Sequence, residues 1–188
     1  LAHVFVSDQN FGFMANPAAK DPEFEFFMEE IGQPCLIYLR DNLHEFMQWL
    51  KDNSDWVDPV VYSTGLQAYV DRIVSYIDPN KEVFKTFVYQ NGCYIFEIQE
   101  EDILYLIKDI SQFTNRDIRR SVLLDPKPTN YMMTPENAMP VFAYNAEYDA
   151  SVEGQKDSHL MDLAEELEEL KDLEDVRPLL AKKFKIRQ

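Results

Sequence analysis

The sequence predicts an α/β fold, a parallel central sheet with helices on both faces. Three observations carry this. Short apolar and β-branched runs alternate with stretches whose apolar residues recur at helical spacing. Polar residues stand at the ends of several of these runs, where the loops of parallel sheets form their sites. The 188 residues, 46% hydrophobic and 13% aromatic, suffice for one sizeable core, so a single domain over residues 1–188 is expected.

"AHVFVS" reads as the first strand. A polar, Phe-rich excursion follows from Gly12 to about Gln33, with Phe13, Phe24, Phe26 and Phe27 beside Met14 and Met28. This aromatic segment, 14–34, is expected either to fold over the domain's own core or to dock into a neighbouring subunit. "CLIYL" is the next strand. "NLHEFMQWLKDN" places Leu43, Phe46, Met47 and Leu50 at helical spacing, with Asn42 set to cap them. "DPVVYST" is a β-branched strand ending in hydroxyl residues, and "GLQAYVDRIVSYID" returns to helical period through Leu66, Tyr69, Val70, Ile73, Val74 and Ile77. "EVFKTFVYQ" and "CYIFEI" read as further strands, and "RSVLLD" as a buried one. "SHLMDLAEELEELKDL" opens a C-terminal helical part over 157–188. It is capped near Asp157 or Ser158 and carries Leu160, Leu163, Leu167 and Leu170 on one stripe, expected to pack on the core.

The formal net charge of −16 argues against a nucleic-acid backbone as ligand, because phosphates repel an acidic surface, and it favours basic partners. Residues 147–177 carry nine of the sixteen excess negative charges. Cys35 and Cys93 lack metal-ligand spacing and are expected as free thiols; His3, His44 and His159 are scattered. No apolar run approaches the roughly 20 residues of a membrane span, so membrane association is expected only through partners or an anchor outside this sequence.

Three polar groups fall at predicted strand ends: Asp8 after the first, Ser63 after "VVY" and Asp125 after "SVLL". Such residues either cap the next helix or line a site, and their recurrence favours a site. Their order matches a family. "LIKDISQFTNRDI", "VLLDPKPTNY" and "TPENAMPV" resemble successive motifs of the haloacid-dehalogenase superfamily, in the C-terminal-domain-phosphatase-like (NLI-interacting-factor-like) branch. That branch also contains the receptor subunit of the mitochondrial presequence translocase, which "DVRPLLAKKF" resembles most. The resemblance runs from about residue 4 to about 184. It implies a Rossmann-like sheet with a small β-hairpin insertion, placed here at 89–107, and phosphoryl transfer through an aspartyl-phosphate.

In active relatives the first strand ends in DxDxT. The first Asp attacks phosphorus and binds Mg²⁺, and the second shuttles the proton. Carried onto this chain, Asp8 keeps the nucleophile position, but Asn10 replaces the second Asp and Gly12 the Thr. An amide cannot give and take that proton, so a factor of about 10²–10⁴ from general acid–base catalysis is lost. A shift by one residue would put Ser7 and Gln9 at the two Asp positions. The resemblance makes Ser63 the phosphate-binding hydroxyl, Lys108 the phosphate-neutralising lysine and Asp125 a metal ligand, so that Asp8 and Asp125 would hold Mg²⁺ if any metal binds. Pro126 stands where a second polar ligand is usual, and Gln90 near the position of a phosphopeptide-binding Arg.

These departures predict a decayed phosphatase that needs no cofactor and acts through protein contacts in a mitochondrial assembly at the inner membrane. One version is a translocase receptor whose acidic surface attracts basic amphipathic presequences. The other is a structural subunit of a mitochondrial ribosome or respiratory complex, using the aromatic and hairpin segments. A working Mg²⁺-dependent phosphatase of phosphoproteins is the remaining alternative.

Overall fold

The computed structural model describes residues 2–6, 12–14, 21–100, 103–144, 146 and 157–185. Strands β1 (Ala2–Val6), β5 (Val57–Tyr62), β6 (Thr86–Val88), β9 (Ser121–Asp125) and β10 (Ala138–Pro140) form a fully parallel sheet in the order β10-β9-β1-β5-β6. At its carboxyl edge Val6 lies beside Val61 on one side and Leu124 on the other. Alternation along these strands sends Val4, Val6, Val61, Val122, Leu124 and Met139 to one face, and Val60, Tyr62, Leu123 and Ala138 to the opposite one.

Helices α1 (Leu43–Asp52), α2 (Gln67–Ile77), α3 (His159–Glu168) and α4 (Arg177–Phe184) share the first core cluster with Val4, Val6 and their neighbours. The helical spacing read in the sequence is what buries Leu43, Phe46, Met47 and Leu50 of α1, and Val70, Ile73, Val74 and Ile77 of α2. Leu160, Leu163, Leu167 and Leu170 are each about 1% exposed. At about 1.5–3 kcal/mol per fully buried leucine, that stripe is core and not a partner groove. The other face of the sheet has helical cover of a different kind: short 3₁₀ turns at Ile110–Gln112, Ile118–Arg120 and Pro128–Tyr131. Asp109 and Asp117 start the first two by accepting the N–H groups of Ser111 and Arg119, a local bond that favours a turn over a longer helix.

Three expectations need correction. "CLIYL" does not join the parallel sheet: β4 (Gln33–Leu39) runs antiparallel between β2 (Gly12–Met14) and β3 (Phe24–Met28). The turn from β3 to β4 is too short for a parallel crossover, and Gly32 closes it at φ +63°, donating to Met28 O at 2.9 Å. "EVFKTFVYQ" contributes only the three residues of β6, because the Asp78 carboxylate takes the N–H groups of Glu82, Val83 and Phe84 out of any ladder. "CYIFEI" forms β7 (Tyr94–Ile98), paired antiparallel with β8 (Ile103–Ile107) as the hairpin expected at 89–107. Asn42 does not cap α1 with its side chain. It adopts the left-handed conformation, φ 59°, that Asn tolerates, and its amide donates to Asp157 O at 2.7 Å.

The described part of the aromatic segment folds over the domain's own core. Phe24 stacks on Tyr76 of α2 with centroids 4.2 Å apart, and Phe26 lies 6.2 Å from Tyr69. Cys35 is buried and Cys93 half-buried, and neither forms a disulfide. His3 belongs to a cluster with Asp58 and Arg116, at the amino-terminal end of the sheet. Among the described residues no helix is long and apolar enough to cross a membrane.

Candidate functional site

Three of the residues singled out in the sequence are brought to the carboxyl edge of the sheet. Ser63 follows β5, Asp125 ends β9, and Lys108 follows β8. The carboxyl end of β1 lies between the ends of β5 and β9. With strands about 4.8 Å apart, Ser63 and Asp125 stand on the order of 10 Å from one another. Asp8 and Asn10, with the alternative pair Ser7 and Gln9, lie outside the described residues.

Lys108 and Asp125 meet directly. The ammonium donates to Asp125 Oδ2 at 2.5 Å, and both side chains are fully buried. Asn130, which the sequence reading did not single out, completes the group. Its Nδ2 lies 2.9 and 3.0 Å from the two Asp125 oxygens, and the backbone N–H of Lys127 reaches Oδ1 at 2.8 Å. Each carboxylate oxygen therefore accepts from two donors. The Asn130 carbonyl accepts from the Lys108 N–H at 2.7 Å, so the same two segments are also joined through the backbone. The signal for Asn130 was in "DPKPTNY": a turn that folds back within five residues brings its amide onto the carboxylate that began it. Burial, and then the Asp125 charge, push the Tyr131 phenol above its usual range.

Ser63 is likewise buried. Its N–H donates to Val88 O at 2.8 Å, tying the end of β5 to β6, and its Oγ accepts from Gly65 N at 2.8 Å. A Cβ on residue 65 would stand 3.0 Å from that Oγ, which is why glycine serves there. Around the corner, Tyr62 donates its hydroxyl proton to Gly92 O and accepts from Gln112 Nε2, both at 2.8 Å. That network fixes the Gln90–Gly92 turn beside the loop that follows Lys108. The Cys93 thiol points at Ser63 O, 3.7 Å away.

Among the described residues the donors around Asp125 do not by themselves fit Mg²⁺. A magnesium ion needs oxygen ligands at about 2.0–2.1 Å. Asp125 has both oxygens engaged by protons, Asn130 faces it with N–H groups, and Pro126 offers no side-chain ligand. Among the described residues no three of His, Cys, Asp and Glu come together as metal ligands do.

A second polar cluster sits where "RDN" follows β4. The buried Arg40 guanidinium donates to Asp157 Oδ2 at 2.5 Å and to Phe142 O at 2.7 Å, and lies 5.8 Å from the Tyr144 ring centre. Asp157 Oδ1 accepts from His159 N, so this carboxylate both starts α3 and receives Arg40. His159 Nε2 accepts from Phe142 N at 3.0 Å, which requires a neutral ring. Burial, and then the Arg40 charge, hold the His159 pKa below its usual 6.5, while Asp157 and Asp162 pull the other way. Between the folded and unfolded pKa values the unfolded chain binds the extra proton, so this contribution is full above pH 6.5 and is lost as pH falls below it. His159→Gln keeps an acceptor and removes the titration. Its thermal midpoint should fall less than that of the wild type between pH 7.5 and pH 5.5, and equal slopes would sink the assignment.

The family of NLI interacting factor-like phosphatases matches residues 10–177, nearly the whole chain. The chain belongs to this family. Its fold is that of the haloacid-dehalogenase phosphatases. The fission yeast RNA polymerase II CTD phosphatase Fcp1, in a beryllium fluoride-bound structure, superposes with a TM-score of 0.56 at 17% identity, over 97% of this chain and 54% of that one. CTD small phosphatase-like protein 2 of Dictyostelium discoideum is 29% identical over 143 residues, 76% of this chain and 23% of that protein. Mitochondrial import inner membrane translocase subunit TIM50 of Candida albicans is 30% identical over 143 residues, 75% of this chain and 27% of that protein. Nuclear envelope morphology protein 1 of Schizosaccharomyces pombe is 26% identical over 147 residues, 78% and 28%. The chain thus spans about a quarter of the length of these curated relatives.

Proposed function

We propose that this NLI interacting factor-like domain has lost phosphoryl transfer and acts through protein contacts. One observation carries the reading: Lys108 and Asp125, which would serve phosphate and metal in an active relative, neutralise each other in full burial. A group that binds and releases phosphate must reach it, and Lys108 and Ser63 expose nothing. Asn10 in place of the proton shuttle supports the same conclusion. No Mg²⁺-dependent release of p-nitrophenol from its phosphate is expected above background. Turnover that disappears in Asp8→Asn would overturn the proposal.

The likeness to TIM50 and the "DVRPLL" stretch support a mitochondrial assembly at the inner membrane as the place of those contacts. The acidic surface favours a receptor for basic amphipathic segments: Glu165 and Glu168 of α3, and Glu169 just after it, are exposed opposite its buried leucines. Such binding weakens with salt. The inserted hairpin favours a second reading, a fixed subunit of a mitochondrial ribosome or respiratory complex. Ile95 and Leu104 share one face of it, 58% and 57% exposed, and exposed apolar surface marks contact sites. Affinity purification followed by mass spectrometry separates the two: translocase subunits and salt-sensitive presequence binding support the receptor, a stoichiometric ribosomal or respiratory set the subunit. Ile95→Lys with Leu104→Lys should strip the fixed partner from the eluate while changing stability by only about 0.5 kcal/mol per site. Unchanged recovery would remove the hairpin from the interface.

A further inference from the structure

The inserted hairpin is anchored along one strand and bare along the other. We infer that the outer edge of β7 takes up an extended segment of a partner protein as a third strand. Given the partner-contact reading above, on which this rests, the segment places apolar residues beside Tyr94, Ile95 and Phe96 and a lysine or arginine beside Glu97.

β8 lies against the Pro128–Tyr131 turn, and the Lys108 N–H that follows it donates to Asn130 O at 2.7 Å. Its Ile107 is buried, and its Tyr105 and Leu106 are half-buried. The base of β7 is fixed as well, since Ile107 stands opposite Tyr94 and Gly92 O accepts from the Tyr62 hydroxyl at 2.8 Å. Beyond that base, Tyr94, Ile95, Phe96 and Glu97 are all exposed. Consecutive residues of a strand point to opposite faces, so both faces of β7 are open together. A partner laid on one face would cover Tyr94 and Phe96, or Ile95 and Glu97, and leave the other pair in water. A strand added beside β7 brings side chains to both faces and gives the edge N–H and C=O groups their partners. Among the described residues β8 is the one strand paired with β7. Protected edges carry proline, bulges or several charges, whereas "YIFEI" pairs without a bulge and has no proline and a single charge.

That charge and the overall one set the partner's chemistry. Residues side by side on adjacent strands have Cβ atoms about 4.5–5.5 Å apart, where opposite charges attract and like charges repel. Glu97, with the exposed Glu100 beyond the end of β7, therefore selects a basic side chain. The formal charge of −16 disfavours a second copy of this chain at the same edge. The anchored hairpin is in place before the partner arrives, which lowers the ordering cost of binding.

The test uses the intact chain purified from cell extract with its partner, beside the same chain alone, and reads deuterium exchange at single amides of β7. In the chain alone, the amides of Tyr94–Ile98 that face β8 should exchange slowly and the alternate ones fast. In the assembly the fast set should slow by about tenfold or more. A partner docked on one face would leave that set fast. Cross-links from a photoreactive phenylalanine analogue at Phe96 should fall in a segment of apolar residues that carries Lys or Arg. Glu97→Lys alters an exposed side chain, so its thermal midpoint should stay within about 1–2 °C of the wild type while partner recovery at low salt falls severalfold. Alternate amides that stay fast in a recovered assembly overturn the inference and leave the partner-contact reading standing. Cross-links to a second copy or to an acidic segment, or undiminished recovery by Glu97→Lys, overturn it in the same way. So does slow exchange of every β7 amide in the chain alone, because its own residues would then cover the edge. A chain recovered without any partner overturns both.

Discussion

Asp125→Ala should lower the unfolding free energy by about 3–5 kcal/mol, the usual cost of removing one partner from a buried ion pair. What is lost is less the attraction than the accommodation. The Lys108 ammonium, fully buried, would face a cavity, and the Asn130 amide and the Lys127 N–H would lose their acceptor together. In a domain of this size each kcal/mol shifts the thermal midpoint by roughly 2–4 °C, so a fall of about 6–20 °C is expected. Urea denaturation should show the same loss in its midpoint, with an unchanged slope. A loss below about 1 kcal/mol would mean that water reaches the ammonium in the native state.

Arg40→Ala should cost about 3 kcal/mol, at the lower end of the same range because the Asp157 side chain keeps 15% exposure. Arg40 joins three separate stretches of chain: its own after β4, the Phe142 carbonyl after β10, and Asp157 at the start of α3. Its removal also takes away the nearby positive charge that helps keep His159 neutral. Two readouts should move together, a lower thermal midpoint and a weaker dependence of that midpoint on pH below neutrality. A lower midpoint with the pH dependence intact would leave Arg40 a structural role only. Arg40→Lys tests geometry separately from charge, because an ammonium cannot fork between a carboxylate and a carbonyl as a guanidinium does.

Much of the scaffold was readable wherever one physical signal dominated. Leu43, Phe46, Met47 and Leu50, like the leucine stripe of α3, announced their burial by spacing alone. β1, β5 and β9 announced theirs by continuous apolar composition. Strand assignment failed at β4 because an apolar run does not say which sheet it joins; that depends on the connection, here a Gly32 turn. At β6 a single side chain, Asp78, overrode the β-prone composition. In the site, Ser63, Lys108 and Asp125 were visible by motif, but their mutual bonding was not. A motif names each residue for an absent ligand, whereas a buried charge binds whatever opposite charge lies nearest, and for Asp125 that was Lys108. Asn130 and Arg40 were hidden for a related reason, since both act on partners that only tertiary structure brings within reach.

The hairpin also bears on how long a copy of this chain survives. Its two strands are held to each other by one narrow ladder, and Tyr94, Ile95, Phe96 and Leu104 are all about half exposed or more. A bare ribbon of this kind invites self-association at its edges and recognition by chaperones and proteases. Under the partner-contact reading, copies made in excess of the partner are cleared and copies that have docked persist. The abundance of this protein would then follow that of its neighbour, even when its own synthesis is unchanged.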